Sequence, residues 1–153
     1  MTKLYGLIGY PLSHSFSKGY FAQKFEQEQI ENVRYENFPI EKMEKLPSLF
    51  KSQPNLLGLN VTIPYKKAVI PYLDELSDSA AAIGAVNTIK VADGKRFGFN
   101  TDEIGFRKSL LELLATYPNE IHELNALVLG TGGAAKAIIY VLDQLNIQYK
   151  IVS

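Results

Sequence analysis

Two lysines, Lys66 and Lys67, close the segment LNVTIPYKK, in which Asn60 and Thr62 are interleaved with Val61 and Ile63 before Pro64 halts the pattern. An amide, a hydroxyl and two ammonium groups at one strand end describe either a solvated turn or the wall of a polar site. A lysine beside a carboxylate in a partly closed site can shift its pKa and take part in proton transfer. The opposing account is plain. Lysines that follow a proline and open a helix are commonly solvated, and a helix N-terminus is the wrong end of the macrodipole for a cation. Something acidic should then compensate at least one of them.

The segment FGFNTDEIGF supplies acids. Thr101 is a suitable N-cap, and Asp102 and Glu103 suit the positive end of the helix that follows. A carboxylate at a strand end could equally orient an ammonium group across a cleft. In GYPLSHSFS, Ser13, Ser15 and Ser17 stand between a strand and a helix. Capping accounts for them, and so does a carboxylate held by alternate hydroxyls. Asn87, in GAVNTI, is unusual for a strand and has no obvious partner in sequence. The run LVLGTGGAAKAIIYVL places Gly130, Gly132 and Ala135 in a G-x-G-x-x-G/A pattern between a strand and a helix. There glycines allow a tight turn and let backbone amides approach a pyrophosphate. A turn merely rich in small residues is the alternative.

These residues need a frame, and the chain alternates strand-like and helix-like segments, as an α/β protein with a largely parallel sheet does. Strands are expected at Lys3–Ile8, in VRYENFP and in NLLGLNVTI, and helices in SFSKGYFAQKFEQEQI and IEKMEKLPSLFKSQ, the second bent or divided by Pro47. A short alanine-rich helix precedes a hairpin whose arms, Ala85–Val91 and Lys95–Phe99, join through Asp93-Gly94. In the helix of NTDEIGFRKSLLELLATY, Ile104, Leu111 and Ala115 share one stripe. A polar linker, YPNEIHEL, separates this helix from the glycine-rich unit, so domains are expected at 1–118 and 119–153.

Of 153 residues, 46% are hydrophobic and 21% charged, the balance of a soluble globular protein. Sixteen basic and sixteen acidic residues cancel, so no net charge steers the surface towards nucleic acid or anionic lipid. Without cysteine there is no disulfide frame, and no metal-ligand cluster stands out. No segment approaches the ~20 apolar residues of a membrane span, and a cytoplasmic location is expected.

Five segments, GYPLSHSFS, NVTIPYKK, GAVNT, FNTD and LGTGGAAKA, together resemble the shikimate dehydrogenase family in order and spacing across essentially the whole chain. The resemblance implies NADPH-dependent reduction of 3-dehydroshikimate to shikimate, with a substrate domain and a Rossmann cofactor domain. It implies Lys66, rather than Lys67, as the catalytic lysine and Asp102 as its partner. It implies Ser15 and Ser17 as the carboxylate-holding serines, Asn60, Thr62 and Asn87 as further substrate contacts, and Gly130, Thr131, Gly132, Gly133 and Ala134 as the cofactor turn. Lys18 departs from the family, where a proline commonly follows the second serine.

The expected architecture is a mainly parallel α/β substrate domain followed by the first βαβ part of a Rossmann domain. By that resemblance the chain is expected to be the N-terminal part of a longer enzyme, with little activity alone. The exposed strand edge of an unfinished Rossmann sheet predicts a tendency to form a homodimer or aggregate through residues after about Glu123. The competing expectations are a quinate/shikimate dehydrogenase that uses NAD, and a non-catalytic shikimate-binding domain.

Overall fold

Strand β1 (Lys3–Gly9) is covered along nearly its whole length, which is why its sequence is apolar without alternation. The computed structural model of the chain describes residues 2–116 and 124–153. Helix α1 (Ser17–Gln27) carries the chain from β1 to β2 (Val33–Pro39), which pairs with β1 in parallel. A 3-10 turn at Met43–Lys45 then leads into α2 (Leu46–Ser52) and on to β3 (Leu56–Val61), parallel to the other side of β1. Pro47 divides this segment as expected. It lies in the first turn of α2, where its missing N–H leaves no bond unmade.

After β3 come a two-residue strand β4 (Glu75–Leu76), the short helix α3 (Asp78–Ile83), and the hairpin β5 (Thr88–Ala92) and β6 (Lys95–Phe99). Asp93 and Gly94 both take positive φ, 52° and 74°, the geometry of a tight hairpin turn. The first arm starts at Thr88 rather than Ala85: the Val86 N–H donates to the Lys66 carbonyl in the neighbouring turn, and ladder bonding begins only at Asn87, whose N–H donates to the Phe99 carbonyl. The sheet runs β2-β1-β3-β5-β6-β4, antiparallel only at the two β5 pairings. Leu4, Ile8, Leu46, Leu59, Val61, Val69, Val86 and Ile89 fill the core on one face, and Leu7 and Tyr35 pack with Phe21 and Phe25 of α1 on the other.

Helix α4 (Thr101–Leu114) leaves this sheet for a second, smaller one, in which β7 (Asn125–Leu129) pairs in parallel with β8 (Gln148–Val152) across α5 (Gly133–Gln144). Two expectations about α4 are corrected here. Its N-cap is Asn100, whose Oδ1 accepts from the Asp102 N–H at 3.2 Å while its Nδ2 donates to the Ala85 carbonyl at 2.9 Å. Asn100, with a separate donor and acceptor on one amide, makes both bonds and takes the role expected of Thr101. The stripe also differs: Ile104 and Leu111 are 59% and 46% exposed. The packed face is Phe106, Leu110 and Leu114, set by contact with α5 and β7. Apolar residues spread over about half the circumference of this helix, so periodicity alone could not choose the packed part of that arc.

The two sheets meet where Ile83 and Ala85 pack against Ala137 and Tyr140 of α5. The expected boundary at 118/119 falls within 117–123, outside the described residues. Among the described residues no helix is long and apolar enough to cross a membrane.

Candidate active site

The turn after β3 is fastened at three points, and these decide where its lysines go. The Tyr65 hydroxyl donates to the Ile40 carbonyl at 2.6 Å, Val69 is buried, and the Lys66 carbonyl accepts from the Val86 N–H at 2.7 Å. Lys66 therefore points the opposite way from buried Tyr65, towards α4, and Lys67 faces solvent. No α-helix opens here: residues 66–69 form a turn that leads into a 3-10 turn at Ile70–Tyr72, so the expected conflict with a helix dipole does not arise.

The compensating acid is Asp102. Lys66 Nζ lies 2.5 Å from Asp102 Oδ2, with the side chains 19% and 34% exposed. Asp102 sits in the first turn of α4, where the helix favours a negative charge. Its other oxygen, Oδ1, accepts from Asn87 Nδ2 at 2.7 Å. Asn87 Oδ1 in turn accepts from the Thr101 N–H at 2.8 Å and from the Thr101 and Thr88 hydroxyls at 3.1 Å each. The residue without an evident partner in sequence is thus the most heavily bonded side chain at the site. Every bond fixes the carboxylate that holds Lys66.

Asn60 and Thr62, two apart along β3 and its end, lie on the same side of the strand. Thr62 shares a cavity of about 350 Å³ with Ser15, Ser17, His14, Phe16 and Ile63. The peptide bonds before Pro11 and Pro64, which flank this cavity, are both cis. Capping by the serines is weakly realised: Ser15 Oγ accepts from the Ser17 N–H at 3.4 Å, and the α1 N-cap, Phe16, makes no side-chain bond. Asn60 Oδ1 accepts from the Tyr35 hydroxyl at 2.8 Å. Burial pushes the Tyr35 phenol up to about 12, partly offset by a hydrogen bond from the Ser17 side chain. A second cavity, of about 640 Å³, runs along α1 between Phe21, Phe25 and Tyr35 and reaches Asn60 and Thr88; Lys66 and Asp102 are not among its walls.

At the glycine turn, Gly130 has φ of +94°, which a residue with a side chain resists, and its N–H donates to the Val152 carbonyl at 2.7 Å. Gly132 is the N-cap of α5 and offers no side-chain bond to the amides of the first turn. A Cβ at Gly130 or Gly132 would meet nothing within 4 Å. Open space before uncapped helical amides is what a pyrophosphate needs, so the residues present fit a dinucleotide. Gly133 differs. A Cβ there would lie 3.2 Å from Lys66 Cδ and 3.3 Å from Lys66 Cβ. The cofactor-type turn rests directly on the stem of the lysine.

The structure joins Lys66, Asp102 and Asn87 in one bonded group and sets Ser15, Ser17 and Thr62 around one cavity. Thr88, Thr101 in its bonding role and Tyr35 were missed in sequence. Thr88 stood inside the GAVNT segment, whereas the alternation in VRYENFP marks Tyr35 only as an inward residue.

Residues 7–89 match the family model of the shikimate dehydrogenase substrate binding domain. The chain belongs to the shikimate dehydrogenase family. It is 45% identical over 143 residues to the NADP(+) shikimate dehydrogenase of Aquifex aeolicus, covering 92% of this chain and 51% of that protein. It is 46% identical over 144 residues to the corresponding protein of Clostridium beijerinckii, with the same coverage of 92% and 51%. Shikimate dehydrogenase 1 of Peptoclostridium difficile superposes with a TM-score of 0.84 at 35% identity, over 99% of this chain and 55% of that one. The Thermus thermophilus enzyme, solved with NADP(H) and shikimate, gives 0.79 at 34% identity, over 98% and 55%. The chain spans about half the length of the shikimate dehydrogenases it matches.

Proposed function

We propose that this chain provides the substrate unit, residues 1–118, and the start of the cofactor unit, residues 119–153, of an enzyme that reduces 3-dehydroshikimate to shikimate with NADPH. The observation that carries this reading is the Lys66–Asp102 pair, buttressed by Asn87 and touching the glycine turn through Gly133. Relatives named for NADP(+) support that cofactor over NAD. Gly130, Thr131, Gly132, Gly133 and Ala134 would hold its pyrophosphate, and when bound it supplies the hydride.

Lys66 donates a proton from Nζ to the ketone oxygen as negative charge develops there, which lowers the barrier to reduction. Asp102 holds the ammonium group in place and orients it. Ser15 and Ser17 bind the substrate carboxylate, and Thr62, Asn60 and Asn87 bind its hydroxyl groups. Lys67, exposed, takes no part.

The test joins residues 1–153 to the second half of the Aquifex aeolicus enzyme and follows NADPH oxidation with 3-dehydroshikimate. Lys66→Ala should lower turnover about 100-fold or more while the fold is retained, the range of general-acid contributions. Near-normal turnover by that variant removes Lys66 from the mechanism. A wild-type chimera that binds shikimate in calorimetry and never turns over favours a non-catalytic binding unit.

A further inference from the structure

The Asp102 carboxylate can only accept hydrogen bonds, and that one-way character passes along its neighbours. Asn87 turns Oδ1 towards the Thr101 backbone N–H, a group that can only donate, so its Nδ2 is left for Asp102. Thr88 Oγ1 lies 3.1 Å from Asn87 Oδ1 and gives its proton there; the 3.4 Å contact to Thr101 Oγ1 is longer. The Thr88 lone pairs then face Asn60 Nδ2 at 3.5 Å, the longest link. Asn60 Oδ1 accepts from Tyr35 at 2.8 Å. The bonds run in one sense from Tyr35 through Asn60, Thr88 and Asn87 to Asp102.

We propose that Tyr35 and Thr88 are positioning residues that set the polarity of Asn60, so that its amide offers an N–H, and not a C=O, to an oxygen of the ligand. The proposal deepens the reading of this site as one for shikimate and rests on it. An asparagine is ambivalent by itself, with two donors and one acceptor oxygen that a half-turn of the amide exchanges. Here the oxygen is engaged by Tyr35, whose ring is stacked on Phe21 at 4.4 Å and 16° and cannot easily swing away. A phenol is protonated throughout the neutral range, so Tyr35 remains a donor there. The donor face of Asn60 suits a hydroxyl, ketone or carboxylate oxygen and disfavours an ammonium or amide N–H at the same place.

The 153-residue chain labelled with 15N-asparagine reads this directly through side-chain carboxamide spectra, with shikimate calorimetry as the second readout. Tyr35→Phe keeps the stack and removes only the hydroxyl. It should move the Asn60 carboxamide signals and, across Thr88, those of Asn87. Thr88→Val should move both as well. Each variant should weaken shikimate binding about tenfold, the scale of one lost hydrogen bond at a partly buried site. The double variant should lose little more, because links of one chain do not add. Asn60 signals that stay in place in the variants overturn the proposal, as does unchanged shikimate affinity when the signals move. If the wild-type chain takes up no shikimate while the spectra move as expected, the substrate reading fails and the polarity assignment stands. Thr88→Val probes the same chain from a half-exposed strand, so a Tyr35→Phe chain that does not fold leaves the test decisive.

Discussion

The two sheets of this chain are supported very differently. In the six-stranded sheet, Ile8 near the end of the central strand β1 is 0% exposed, with β2 and β3 on either side and a packed core beneath. In the two-stranded sheet, Leu129 at the end of β7 is 74% exposed, and Leu127, Ile151 and Val152 are also open. Two strands are marginal without further packing, whereas six strands over a shared core can stand alone. The Lys66–Asp102 pair is built on the first sheet and only touched by the second. That pair and the glycine turn therefore rest on unequal foundations.

The largest test of that contrast is amide exchange. Amides of β1 and β3 should exchange roughly 1,000-fold more slowly than those of β7 and β8, since local opening ranges from almost no cost to the full stability of the fold. Equal protection in the two sheets would remove the contrast. Self-association comes next: the open face and edge of β7–β8 should draw copies of the chain together. Leu129→Lys with Ile151→Lys should weaken this about tenfold in sedimentation or light scattering, as charges on exposed edges do. A wild-type chain that stays monomeric at high concentration would count against that pairing.

The smallest effect belongs to Tyr35, in the well-supported sheet. Its phenol is pushed up to about 12 in the folded chain, against about 10 when unfolded. Between those values the folded state holds a proton that the unfolded state has released, so stability falls as pH rises. Below about pH 10 this group adds no slope. Urea midpoints compared at about pH 9 and pH 11 should drop more steeply for wild type than for Tyr35→Phe. Parallel slopes would show that Tyr35 is not the group responsible.

What was legible in the sequence follows the same division. Buried parallel strands announce themselves, so β1, β2 and β3 were found nearly to the residue, and Asp93-Gly94 named its own hairpin. Lys66 and Asp102 were recognisable as residue types able to pair, but 36 positions separate them and only folding brings them together. Asn87 was the opposite case: besides the adjacent Thr88 hydroxyl, its contacts come from Thr101 and Asp102 of α4, which no local pattern encodes. The cap went to Asn100 because the Ala85 carbonyl needed a donor, and the α4 stripe turned because α5 was there to receive Phe106 and Leu110. Tertiary partners decided each of these.

Gly133 leaves a consequence for anyone redesigning this protein. The turn that would take a nucleotide and the stem of the lysine occupy adjoining space, with only a hydrogen atom's width between them. A side chain at Gly132 would enter open space and leave the lysine untouched. A methyl group at position 133 would press first on the stem of Lys66, and through it on the bond to Asp102. What fills the turn and where the ammonium group sits are therefore coupled through Gly133.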